Sequence, residues 1–180
     1  ILAVVLTVPV LWLVLRGLLA AGPGPAGLVP TWWIVLGPLG QSVTAACLLE
    51  RAAQPLVDEA TAHTVRQLAL GYAVPVWSAG LVWIGCATVL TVAGLRRGLP
   101  FSLAWWSFTF PLGTFVTGSA GLAVVDGGAL YAVVAVLGFG ALLLIWVIVA
   151  ARTGRGVWSG ALLAPVTSSR PDRSPGTPGE

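Results

Sequence analysis

Charge, histidine, cysteine and methionine are all scarce in this sequence. Charged residues make up 8% of it, against about 25% in a soluble domain. Together with 57% hydrophobic residues and a mean hydropathy of +0.95, that shortage excludes a water-soluble globular chain and indicates an integral membrane protein. The one histidine, His63, has no second histidine to share a metal and reads as a solvated loop residue. Cys47 and Cys86 lie far apart within apolar stretches, form no CxxC and read as small apolar residues. No metal, cofactor or Ser-His-acid constellation is expected, and catalysis is disfavoured. No acid or arginine falls mid-span, which argues against a proton relay or a salt-bridged coupling site. The chain opens ILAVVLTVPV and holds no methionine, so it reads as a fragment. Its first basic residue, Arg16, follows the opening apolar run, the reverse of a signal peptide.

What is present is a series of apolar stretches long enough to span. About 20 helical residues cross the ~30 Å hydrocarbon layer, and five such spans are expected at about 1–20, 31–49, 68–95, 101–124 and 129–151. AAGPGPAGLVP breaks the first from the second. A mixed-charge loop over about 50–66, holding Glu50, Asp58, Glu59, His63 and Arg66 and able to form a short surface helix, separates the second from the third. A turn at Asp126, Gly127 and Gly128 separates the last two. The transmembrane region thus covers 1–155. Residues 156–180, rich in Pro, Gly and Ser, are expected to form a disordered tail. Arg16, Arg96, Arg97, Arg152 and Arg155 fall on one side of this five-span topology, which makes that side, and the tail, cytoplasmic. The net charge of +3 is then a topology signal with no need of a nucleic-acid partner.

One stretch occurs twice. TWWIVLGPLGQSVTAACLL and AWWSFTFPLGTFVTGSAGL align without gaps at Trp32, Trp33, Pro38, Leu39, Gly40, Val43, Thr44 and Leu49 of the earlier copy. Internal repeats of helix pairs are a known way of building transporters, with sites at broken or kinked helices. Pro38 and Pro111 mark the expected kinks, since proline removes a backbone hydrogen bond. On a helical wheel Ser107, Phe110, Gly113, Thr114, Thr117 and Gly121 share one face of the later copy, with Phe108, Leu112, Phe115 and Leu122 opposite. A small, hydroxylated face bearing one large ring is the pattern of a pore lining with a plug. Ser107, Gly113, Thr114 and Thr117, with Gly37, Gly40, Gln41 and Thr44 from the earlier copy, are the expected lining. Phe110 is the expected gate, although a ring there could equally fill a gap between helices. Gly138 and Gly140 in LGFGALL fit close helix packing better than a phosphate loop.

WWSFTFPLGTF followed by small residues, with the earlier LGPLGQSVTAA, resembles the tellurite-resistance and C4-dicarboxylate transporter family. That family includes yeast malic acid transporters, fungal sulfite efflux pumps and plant slow anion channels. The likeness covers about residues 1–151. It implies ten helices in five hairpins around a central pore, of which these spans are the sixth to tenth. It also implies a phenylalanine occluding the pore, which falls on Phe110, and assembly as trimers. The expected function is passage of small anions across the lipid bilayer. A membrane-embedded enzyme or a structural subunit would need functional residues outside this stretch.

Overall fold

In the computed structural model, residues 26–160 are described, with only isolated positions between 9 and 20 ahead of them. The expected span 1–20 and the tail from 161 onward therefore lie outside the described residues. Four α-helices follow one another: α1 (Leu36–Ala53), α2 (Glu59–Arg96), α3 (Thr109–Asp126) and α4 (Ala129–Trp158). Short 3-10 segments, Ala26–Val35 and Leu103–Phe108, run directly into α1 and α3. With these leads the helices give four apolar segments long enough to cross a membrane, Val29–Leu56, Glu59–Arg96, Leu103–Asp126 and Ala129–Trp158. The chain is an all-α, multi-pass membrane protein.

The expected loop over 50–66 is mostly helix. Glu50 to Ala53 complete α1, and α2 already begins at Glu59, leaving only 54–58 as the connection. Asp58 explains the early start: its carboxylate accepts from the Thr61 amide at 2.7 Å, and Glu59 adds negative charge at the positive helix end. At 38 residues α2 is about 57 Å long, so its first turns project beyond the hydrocarbon. The far end of the chain departs similarly. Residues 156–158, expected in the tail, are the last turn of α4. Gly127, at φ 81°, takes the left-handed conformation that ends α3 and lets the chain reverse.

Burial sorts the four helices into two inner and two outer. Of the most apolar windows, 44% of the α1 segment and 56% of the α3 segment are buried, against 17% for α2 and 11% for α4. The inner helices α1 and α3 run side by side and parallel, because contacts advance together along both. A Cβ on Gly40 would lie 2.5 Å from the backbone of Thr114 and Phe115. One on Gly118 would meet Val43, and one on Gly121 would meet Cys47. Glycine allows this approach, and dispersion between close backbones is the main attraction available to helices in lipid. Around the pair, Leu36, Val43, Cys47, Leu122 and Val149 are almost wholly buried.

Tryptophans tie the outer helices on. Trp77 of α2 stacks on Phe115 with ring centroids 5.9 Å apart and meets Tyr131 of α4 edge-on at 4.9 Å. Its indole N–H donates to Ser119 Oγ at 2.8 Å, and that hydroxyl donates to the Phe115 carbonyl. Two more bonds repeat by hairpin: Trp33 donates to Thr91 of α2 at 3.0 Å, and its counterpart Trp106 donates to Thr153 of α4 at 3.2 Å. Each inner helix is thus bound at its 3-10 lead to the outer helix that follows it.

Candidate functional site

The two copies of the repeated stretch meet at their corresponding residues. Both change from 3-10 to α-helix at the same repeat position, Leu36 and Thr109. Pro38 and Pro111 therefore stand in the first turn of α1 and α3, where a missing N–H costs no α-helical hydrogen bond. The expected kink supposed prolines inside an α-helix; both instead follow directly on a change from 3-10 to α-helix.

Just there the inner helices open a groove of about 670 Å³. It is lined by Ile34, Gly37, Pro38 and Gln41 from the first copy and by Trp106, Ser107, Phe110 and Pro111 from the second. Phe110 is 65% exposed, and its ring edge lies 3.6 Å from where a Gly37 Cβ would stand. A 3-10 rise of ~2.0 Å and an α rise of ~1.5 Å per residue put Phe110 about a third of the way along its span from Leu103. Polar capacity in the groove is unspent. Among the described residues nothing hydrogen-bonds to the Ser107 hydroxyl or the Gln41 amide, whereas the Trp106 indole is committed to Thr153. No acid lines the groove, so it offers neutral donors beside an apolar ring.

Of the residues expected to line a pore, Gly37, Gln41 and Ser107 sit on this groove with Phe110. Thr44 and Thr117 lie one turn further along, with their hydroxyl oxygens 3.1 Å apart. Thr44 also reaches the Gly40 carbonyl and Thr117 the Thr114 carbonyl, each at 2.9 Å. Two protons serve three contacts, so at any moment one of the three goes without a proton. Gly40, Gly113 and Thr114 lie elsewhere. Gly40 abuts the α3 backbone and Gly113 faces Leu142 of α4, while Thr114 is buried with its hydroxyl bonded to the Pro111 carbonyl at 2.7 Å. The opposite face, Phe108, Leu112, Phe115 and Leu122, is core throughout.

Ile34 and Trp106 are groove residues that the wheel did not place. Both lie in the 3-10 leads, where residues advance by ~120° instead of ~100°, so an α-helical wheel misplaces them. Glu50 is the other unexpected residue: expected in a solvated loop, it is 4% exposed in the last turn of α1.

The voltage-dependent anion channel family matches residues 1–154. The chain belongs to that family. This agrees with the resemblance of the two Trp-Trp and Pro-Leu-Gly segments, because slow anion channels and C4-dicarboxylate transporters form one group. Among curated proteins, this family member is 28% identical over 144 residues to the uncharacterized transporter MJ0762 of Methanocaldococcus jannaschii, covering 78% of the chain and 39% of that protein. It is 28% identical over 142 residues to the uncharacterized transporter MJ0576 of the same organism, covering 77% and 38%. The chain thus spans about two fifths of these relatives' length. No solved structure matches it.

Proposed function

We propose that this chain contributes part of a membrane pathway for small anions, dicarboxylates such as malate or inorganic anions such as sulfite and tellurite, in which Phe110 is the plug. The observation that carries the reading is the groove in which unspent donors, Ser107 and Gln41, flank an exposed ring at the meeting of two repeat copies. Membership of an anion channel family and likeness to two transporters support it.

Neutral donors suit conduction. A hydroxyl and an amide replace part of an anion's hydration without holding it, and weak, multiple sites let it leave. The Thr44 and Thr117 pair, one turn on, can yield a donor to a passing anion by giving up one of its own bonds, at a cost of about 1 kcal/mol. The Phe110 ring closes the path by bulk and by excluding water, and Gly37 opposite leaves room for it to change rotamer. Arg96, near the last turn of α2, and Arg152, near the end of α4, place positive charge at the groove end of the bundle. Arg152 stacks over Phe101 and Trp105 at 5.8 and 5.2 Å. That end is assigned to the cytoplasm. The complete protein is assigned a ring of five hairpins, assembled as trimers.

The test is flux in liposomes holding the complete protein, with a panel of dicarboxylates and inorganic anions and with potassium as control. The reading expects anion flux, no potassium flux, and severalfold slower anion passage in Ser107→Ala/Gln41→Leu. Equal passage of potassium, or no passage of any anion, contradicts it.

A further inference from the structure

One cation at the groove end of the bundle differs from the others there. Arg152 of α4 has its guanidinium carbon 5.2 Å from the Trp105 ring centroid and 5.8 Å from that of Phe101, whereas Arg96, Arg97 and Arg155 contact no ring among the described residues. Its neighbour Thr153 accepts the Trp106 indole N–H at 3.2 Å, and Trp106 and Ser107 line the groove. Arg152 is thus fixed against the same 3-10 lead that forms the groove wall. None of its N–H donors has an acceptor among the described residues. The four acids among them, Glu50, Asp58, Glu59 and Asp126, all lie at the opposite end, where α1 and α3 finish and α2 begins. Packing does not explain the charge. In the first copy the counterpart of Trp105 is Trp32, and a neutral ring covers it: Trp83 of α2 stacks there with centroids 5.7 Å apart and donates to the Trp32 carbonyl at 2.8 Å. The same task in the second copy falls to a guanidinium.

On the reading of the groove as an anion path, we propose that Arg152 is an entry site for oxyanions, binding a carboxylate or another anion with two adjacent oxygens beside the groove wall and raising its concentration there. A guanidinium presents paired N–H donors whose spacing matches such oxygens, and a halide fills only part of that fork. Contact with two aromatic rings restrains the long side chain in advance, which lowers the entropy lost when an anion binds. Arg152 is exposed, so a bound anion stays in exchange with water and can move on. The neutral donors Ser107 and Gln41 then receive an anion already gathered by charge. Salt weakens that gathering, since charges in water are screened over about 8 Å at physiological ionic strength.

The test uses the complete protein in liposomes at low and high ionic strength, with malate and chloride as probes. Arg152→Trp keeps a ring against Trp105, as Trp83 does for Trp32, and removes the charge. It is expected to cut malate flux severalfold and chloride flux less, both losses shrinking at high salt. Arg152→Lys keeps the charge without the fork, so chloride flux should match wild type while malate stays slow. Full malate flux in either variant at low salt overturns the proposal, as does an equal loss of both anions that salt leaves unchanged. Modification of arginines by phenylglyoxal, read residue by residue by mass spectrometry on the complete protein in detergent, decides the site without transport. Malate should slow the reaction of Arg152 severalfold relative to chloride at equal ionic strength and leave Arg155 unaffected. Equal rates at Arg152 in the two anions, or equal protection of Arg155, overturn the site. Absence of flux of any anion in wild type and in Phe110→Ala counts against the anion path, and the modification rates then decide the site alone.

Discussion

Thr44 and Thr117 occupy the same position in two copies of one sequence repeat, 73 residues apart, and their hydroxyl oxygens touch at 3.1 Å. The repeat is thus a pair of parallel neighbours in contact at matching positions. Thr44→Cys/Thr117→Cys, with Cys47 and Cys86 replaced by alanine, is expected to form a disulfide under mild oxidation. A gel shift after cleavage of the 54–58 connection reads it. Failure to cross-link, or equal cross-linking of a Thr44→Cys/Val124→Cys control, would contradict the register.

Gly40 permits the closest approach between the inner helices. A methyl group there would press on the Thr114 and Phe115 backbone at 2.5 Å, and backbone cannot swing aside. Gly40→Ala should therefore destabilise by about 1–3 kcal/mol, as overpacking does. Gly85→Ala on α2, with nothing within 4 Å, should be neutral or slightly stabilising. Melting temperatures in detergent compare the two.

Ser119 is fully buried and accepts the Trp77 indole proton. Ser119→Ala leaves that N–H without an acceptor and should cost about 1–2 kcal/mol. Adding Ser119→Ala to Trp77→Phe should cost less than it does alone, because the donor is already gone. A thermal-denaturation double-mutant cycle measures the difference.

At the start of α2, bonding from the Thr61 amide and then the Thr61 side chain holds the Asp58 carboxyl below its ordinary pKa. A depressed native pKa means the cap contributes stability above the unfolded-state value and loses it as pH falls through the lower, folded one. Hydrogen-exchange protection factors at Thr61 and Ala62, taken against the intrinsic rate at each pH, should therefore fall in strong acid. Asp58→Ala should show low protection already at neutral pH, and Asp58→Asn, still a good cap, should keep a protection factor that does not change with pH.

Much of this was readable from the residues. Apolar length pointed to the stretches where the four described helices lie, the expected span 1–20 being outside the described residues, and the gapless match at Trp32, Pro38, Gly40 and Thr44 announced two equivalent helices, since identical side-chain patterns fold alike. The wheel separated Phe108, Leu112, Phe115 and Leu122 from Phe110 and Thr117, because a helix in lipid still buries one face. It did not separate Thr114 and Gly40 from Ser107 and Gln41, as a wheel ranks directions on one helix and knows nothing of its neighbour. The 3-10 leads hid Ile34 and Trp106. Glu50 was unreadable because an acid beside Arg51 at the end of an apolar run looks like the start of a loop. Its burial comes from the stripe it extends.

Anion flux through the complete protein with Phe110→Ala tests the central claim most directly. Removing a ring that blocks the path should raise flux at least tenfold over wild type, with potassium still excluded. Flux equal to wild type, in a variant that melts at the same temperature, would contradict Phe110 as the plug.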